Sequence, residues 1–374
     1  MRWNRLGLAL VMAQALALST ACAQATPAAA PAGAAAPAAG QPAAGAGGPT
    51  TIEELATYDG PDRQQILEAG ARKEGKLTWY TSSIRETIGQ PMMAAFTKKY
   101  PFLQVDYYRA DGVELRPRLR EELRAGRPVA DIFETTMPTM QLSTADGLFQ
   151  PYRSPSARDY PPDTVEPRGY WVVTRELYPA IGFNTNVIPA AEAPRSYEDL
   201  LDPKWHGKIA LPQGDIPIAF VGLMLETRGE DYLAQLSRQD VRMREVSQTA
   251  LANLIASGEV ALTPDMTSKD ARALQAKGAP IGWNPAKPIN PQRAAVALVK
   301  SAPHPHAALL MIDFMLSRAP DEGQAVFEKQ TYGSPGRGEA LQYELTDVTV
   351  RPDIAERWEQ WEQLLNKYFV RAGQ

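Results

Sequence analysis

Gly75-Lys76-Leu77-Thr78-Trp79-Tyr80-Thr81-Ser82-Ser83 is the stretch on which the fold class turns. It is a short apolar strand bounded by glycine and by small hydroxylated residues, and Pro61 to Ala71 before it has the pattern of a helix with proline in its first turn. Outward from it the same grammar repeats. A helical stretch from Ile84 to Tyr100 leads to a strand from Leu103 to Tyr108. A helix from Val113 to Ala125 then leads to the strand Asp131-Ile132-Phe133-Glu134, which stops in Thr135-Thr136. Strands alternating with helices of this length predict parallel βαβ units, whose loops at the strand carboxyl ends can offer groups to a ligand.

The second half repeats the pattern. Ser196-Tyr197-Glu198-Asp199 has the form of a helix start, and the strand Lys208 to Leu211 lies within Asp202-Pro203-Lys204-Trp205-His206-Gly207-Lys208-Ile209-Ala210-Leu211-Pro212. Helices are predicted at Ile218 to Arg228, Asp231 to Leu236 and Ala250 to Ser257, with strands near Val241 to Val246 and Val260 to Thr263. A strand from Ala295 to Val299 and a helix from Ala307 to Leu316 follow. Ile354, Trp358, Trp361, Leu365 and Phe369 then recur at helical spacing, beside Glu356, Glu359 and Glu362, and predict a docking helix on the first lobe.

With 374 residues and 44% hydrophobic content the chain can bury more than one core. Its formal net charge of −4 provides no basic field, so nucleic acid is not an expected partner. Arg2, Arg5, the apolar run Leu6 to Leu18 and Ala21-Cys22-Ala23 have the layout of a secretory signal over 1–23. The run is too short, and too interrupted by Gln14, to favour a membrane span. Cys22 is the single cysteine. Cleavage after Ala23 discards it, and cleavage before it leaves a thiol for a lipid anchor. Residues 24–50 are nearly all alanine, proline and glycine and read as a linker.

The three stretches at 75–83, 130–136 and 202–212, and a fourth, Ala302-Pro303-His304-Pro305-His306 running into Phe314-Met315-Leu316-Ser317, together resemble the extracellular solute-binding proteins of bacterial ABC importers, in the iron, thiamine and polyamine branch. The resemblance covers nearly all of residues 60–340. It implies an α/β, two-lobe periplasmic-binding-protein fold of type II, with a ligand cleft between lobes joined by a two-strand hinge. On that reading 51–182 begins lobe one, 183–283 is lobe two and 284–374 returns to lobe one. The hinge is expected near Gly182 and Trp283.

The resemblance implies a periplasmic receptor, monomeric, that captures a small organic or oxyanionic solute and delivers it to an inner-membrane ABC permease. A sensory protein of the same fold, signalling to a membrane histidine kinase, is an alternative. Candidate ligand contacts from lobe one are Thr81, Ser82 and Ser83, Arg109 after the second strand, and Thr135 and Thr136 after the third. From lobe two come Asp215, and Ser247 and Thr249 at a helix start, where amides and hydroxyls cradle anions. Trp171 and Tyr332 could wall the pocket or belong to the core, and Ser83 and Asp215 could equally cap helices.

Ferric binders of this branch carry adjacent tyrosines after Gly-Glu and a short strand. Here Gly258-Glu259 is followed by Val260-Ala261-Leu262-Thr263-Pro264-Asp265, so the pair falls on Met266 and Thr267, which are not the hard oxygen donors that ferric ion requires. A ferric binder with non-tyrosine ligands is a further alternative. His304 and His306 flank Pro305 at a helix entry, and no metal site or cofactor is expected. No Gly-x-Ser-x-Gly elbow, His-Glu-x-x-His or phosphate-loop lysine motif occurs, so an enzyme is not expected.

Overall fold

Thr51 opens the first helix with a reciprocal cap, its hydroxyl accepting the Glu54 N–H while the Glu54 carboxylate accepts the Thr51 N–H. The computed structural model describes residues 48–330, 332–338 and 342–370. Residues 1–47, which include Cys22 and nearly all of the stretches read as signal and linker, lie outside them.

After α1 (Ile52–Thr57) and α2 (Arg63–Glu74), Gly75 takes the left-handed conformation at φ 71° that turns the chain out of the helix into β1 (Lys76–Thr81). A π-helical turn at Arg85–Gly89 runs into α3 (Gln90–Lys99). β2 (Gln104–Arg109), α4 (Gly112–Arg124), β3 (Ile132–Thr136), α5 (Met137–Ala145), β4 (Phe149–Gln150) and β5 (Val172–Leu177) follow. The second lobe holds β6 (Pro179–Asn184), β7 (Ala210–Leu211), α6 (Asp215–Arg228), α7 (Glu230–Ser237), β8 (Arg242–Met243) and α8 (Gln248–Ser257). It ends with β9 (Leu262–Thr267), α9 (Ser268–Gln275) and β10 (Ile281–Asn284). The chain then gives β11 (Gln292–Val299), α10 (Pro305–Leu316), α11 (Gly323–Lys329) and α12 (Ile354–Phe369).

The first lobe is a six-stranded sheet in the order β2-β1-β3-β11-β4, with β5 also paired to β11. β1 runs parallel to β2 and β3, whereas β11 is antiparallel to β3, β4 and β5. Its strand β11 is buried on both faces. Along β11, Val296 and Leu298 join the core under α2, α3 and α10, while Ala295, Ala297 and Val299 join the core against α4 and α5. The second lobe is built on the antiparallel sheet β10-β6-β9, beside a parallel β7-β8 pair.

Gly182 and Trp283 are register partners within the second lobe's sheet, and the crossings lie a few residues away, at Tyr178 between β5 and β6 and at residues 285–291 between β10 and β11. The structure corrects two expectations. The first concerns α12. Ile354, Trp361, Leu364, Leu365 and Phe369 are buried in the core of the second lobe, chiefly on α6, with lesser contacts to α5 of the first lobe and to α7. Gly222 of α6 lets this happen, because a Cβ there would sit 2.5 Å from the Trp361 ring. Finally, Ser83 does not cap a helix. Ile84 is the residue at the helix start, and the Ser83 hydroxyl donates elsewhere.

Candidate functional site

Where the chain crosses between lobes, a cavity of about 130 Å³ opens between the N-termini of two helices. Thr136, Met137 and Pro138 at the start of α5 line it from the first lobe, and Asp215, Ile216 and Ala219 at the start of α6 line it from the second. The crossings supply Arg175 and Leu177 on one side and residues from Asn290 to Ala294 on the other, with Tyr332 and Thr349 completing the wall. Helix N-termini expose unpaired amides, and no side chain caps α5 or α6.

Beneath the first-lobe wall lies a buried polar knot. The Glu134 carboxylate, fully buried on β3, accepts hydroxyls from Thr81, from Ser83 at 2.8 Å and from Thr174 at 3.4 Å, and pairs with the Arg175 guanidinium. Arg175 lies 5.4 Å from the Tyr332 ring centroid and 5.8 Å from that of Phe327. Burial pulls its pKa below the usual arginine range, against the opposing pull of Tyr332 and Tyr107. On the second crossing Arg293 is held by Glu176 at 2.7 Å, Asp163 at 2.8 Å and Asp347 at 3.1 Å. Both cations on the wall are therefore already matched.

The carboxylates of the second lobe are not matched in this way. Among the described residues Asp215 makes no hydrogen bond or ion pair; burial raises its pKa, and the charges of Asp111 and Glu362 push it the same way. Asp265 on β9 is 6% exposed and accepts amide N–H bonds from Gln248 at 3.0 Å and Gln292 at 3.1 Å. Burial lifts its pKa to about 7, outweighing those two bonds.

Of the residues singled out in the sequence, Thr136 and Asp215 stand on the cavity wall, as does Tyr332. Thr81 and Ser83 are spent on Glu134, and half-buried Ser82 gives its backbone N–H to the Glu134 carbonyl at 3.1 Å. Thr135 is fully buried, its hydroxyl without a partner. Arg109 is exposed and paired with Asp111 at 2.8 Å, away from the cavity. Ser247 caps α8 through the Ala250 N–H, and Thr249 reaches Asp270 at 3.3 Å; neither lines the cavity. Trp171 is a core residue.

The sequence reading missed Glu134, Arg175, Asn290, Gln292 and Asp265. Three of them are charges inside otherwise apolar strands, and that was the available signal, since such groups are buried only when paired or used. His304 and His306 start α10, where Asp131 accepts the His304 N–H at 2.6 Å and Glu74 accepts the Ala307 N–H at 2.8 Å. Among the described residues no group of three or more His, Cys, Asp or Glu is placed to hold a metal ion.

Residues 127–367 match the family described as bacterial extracellular solute-binding protein, which is well over half of the chain. The chain belongs to this family. Iron uptake protein A1 of a Synechocystis species is 23% identical over 251 residues, covering 62% of this solute-binding protein and 68% of that one. Trichodesmium FutA (IdiA), solved with iron and citrate, superposes with a TM-score of 0.65 at 21% identity, over 79% of this chain and all of that one. AfuA from Actinobacillus pleuropneumoniae, solved with fructose-6-phosphate, gives 0.64 at 19% identity, over 79% and 99%. At these identities the solved structures establish the fold, a two-lobe periplasmic binding protein. The family binds small solutes for ABC-type import.

Proposed function

We propose that this solute-binding protein is an exported, monomeric receptor that closes its lobes around a small organic solute carrying an oxyanion and presents it to an inner-membrane ABC permease, without chemistry on the solute. The observation carrying this is the cavity walled by both lobes and both crossings. The start of α5 offers amides and the Thr136 hydroxyl to an oxyanion, as helix N-termini do.

Ferric ion fits these residues less well. Met266 is buried in the second lobe's core, and Thr267 caps α9 through the Asp270 N–H, so neither supplies a phenolate to the cavity. Tyr332 is the tyrosine on the wall, and its hydroxyl accepts from Lys269 at 3.3 Å.

The test is a melting-temperature panel of carboxylates, phosphorylated compounds, polyamines, thiamine and ferric salts on the exported chain, followed by small-angle scattering with any hit. An organic oxyanion that raises the melting temperature and compacts the protein supports the reading. A ferric salt doing so alone, or a stabilising ligand that leaves the scattering unchanged, overturns it.

A further inference from the structure

We propose that Asp215 is the counter-charge for a protonated amine, so that the solute is a small zwitterion with an amine at one end and a carboxylate or phosphoryl group at the other. This deepens the receptor reading above and rests on it.

Two independent observations carry it. The first is the unmatched carboxylate. Arg175 and Arg293 on the same wall already face Glu134 and the trio Glu176, Asp163 and Asp347, so neither is left to neutralise Asp215. Lys269 is not on the wall; its ammonium lies 4.4 Å over the Tyr332 ring. The groups that act electrostatically on Asp215, Asp111 from the first lobe and Glu362 from α12, are themselves acidic. A carboxylate that faces a confined volume whose two wall cations are already matched is costly until a further cation arrives, and a ligand ammonium removes that cost as the lobes close.

The second observation is Asn290, which is 7% exposed and lies on the same wall. Its side-chain oxygen accepts the Val348 N–H at 3.2 Å, while among the described residues its amide nitrogen donates to nothing. A donor on a largely buried side chain, without an acceptor among the described residues and on the same wall as the uncapped start of α5, marks a place for a ligand oxygen. The wall therefore asks for an acceptor at one place and a cation at another. The 130 Å³ between them restricts the solute to a small molecule.

The experiment compares pools of amino acids and phosphorylated amino alcohols with pools of the matching acids lacking the amine and amines lacking the acid. Melting temperature and titration calorimetry are read on the wild-type chain and on Asp215→Asn and Asp215→Glu. We expect the zwitterion pool to give the largest shift, Asp215→Asn to weaken its hit roughly 10- to 100-fold, and Asp215→Glu to restore part of the loss. The unliganded melting temperatures report whether each variant folds. Equal binding of the acids lacking the amine, or unchanged affinity in Asp215→Asn, overturns the inference and leaves the receptor reading standing. A zwitterion pool without a hit also overturns it, and scattering with a crude small-molecule extract then shows whether the lobes close on anything.

Discussion

Gln292, the first residue of β11, donates its side-chain amide to Asp265 on β9 at 3.1 Å, tying the strand that returns to the first lobe to the sheet of the second. Gln248 donates to the same oxygen at 3.0 Å. The acceptor of both bonds has a pKa raised to about 7 from an ordinary 3.8, chiefly by burial. A raised folded-state pKa means that the folded protein holds this proton more tightly than the unfolded chain. Asp265 therefore favours folding most below pH 4, its contribution falls as pH rises from about 4 to about 7, and it is constant above that. Asp265→Asn keeps the acceptor and removes the charge, so it should raise the melting temperature by a few degrees at pH 8 and leave it nearly unchanged at pH 4. Thermal scans across pH check this; a variant no more stable at pH 8 than wild type would show that the carboxylate is not penalised.

Glu134→Ala removes the carboxylate that matches buried Arg175 and gathers Thr81, Ser83 and Thr174. Stranding a buried guanidinium should cost about 3–5 kcal/mol, read as a lower urea midpoint at unchanged slope. A loss below about 1 kcal/mol would place the pair in the class of exposed bridges.

Arg109→Ala and Thr249→Ala alter groups that lie off the cavity wall. Solute affinity should stay within about twofold in each, as for ordinary surface changes. Calorimetry with the hit from the stability panel decides this, and a tenfold loss would move the site toward those residues.

Trp361→Ala empties a fully buried indole from the second lobe and should destabilise it by about 3–5 kcal/mol. Hydrogen exchange should show the loss concentrated in α6, α7 and α12 and leave the sheet of the first lobe protected.

The two-lobe plan was legible because it rests on local pattern. The apolar strand at 76–81 and the threonine-ended strand at 132–136 both formed close to where alternation and punctuation placed them. Pairing between distant residues was not legible. Nothing near Glu134 announces Arg175, because β11 and the crossing bring them together. An amphipathic helix likewise declares that one face is buried without saying against what, which is why α12 was assigned to the wrong lobe. α9, eight residues long and polar on average, was missed. Thr136 and Asp215 reached the cavity wall because residues at the starts of helices after strands fall at the strand carboxyl ends.

The placement of α12 bears on how the molecule comes into being. The chain passes from one half to the other at Tyr178, returns through 285–291, and passes over again between α11 and α12. Neither half is a contiguous length of polypeptide, and the apolar side of α6 stays bare until the last sixteen-residue helix arrives. Synthesis from the N-terminus would thus leave the first half waiting for β11 and α10, and the second half waiting longer still, for α12, exposed meanwhile to proteases and to sticking.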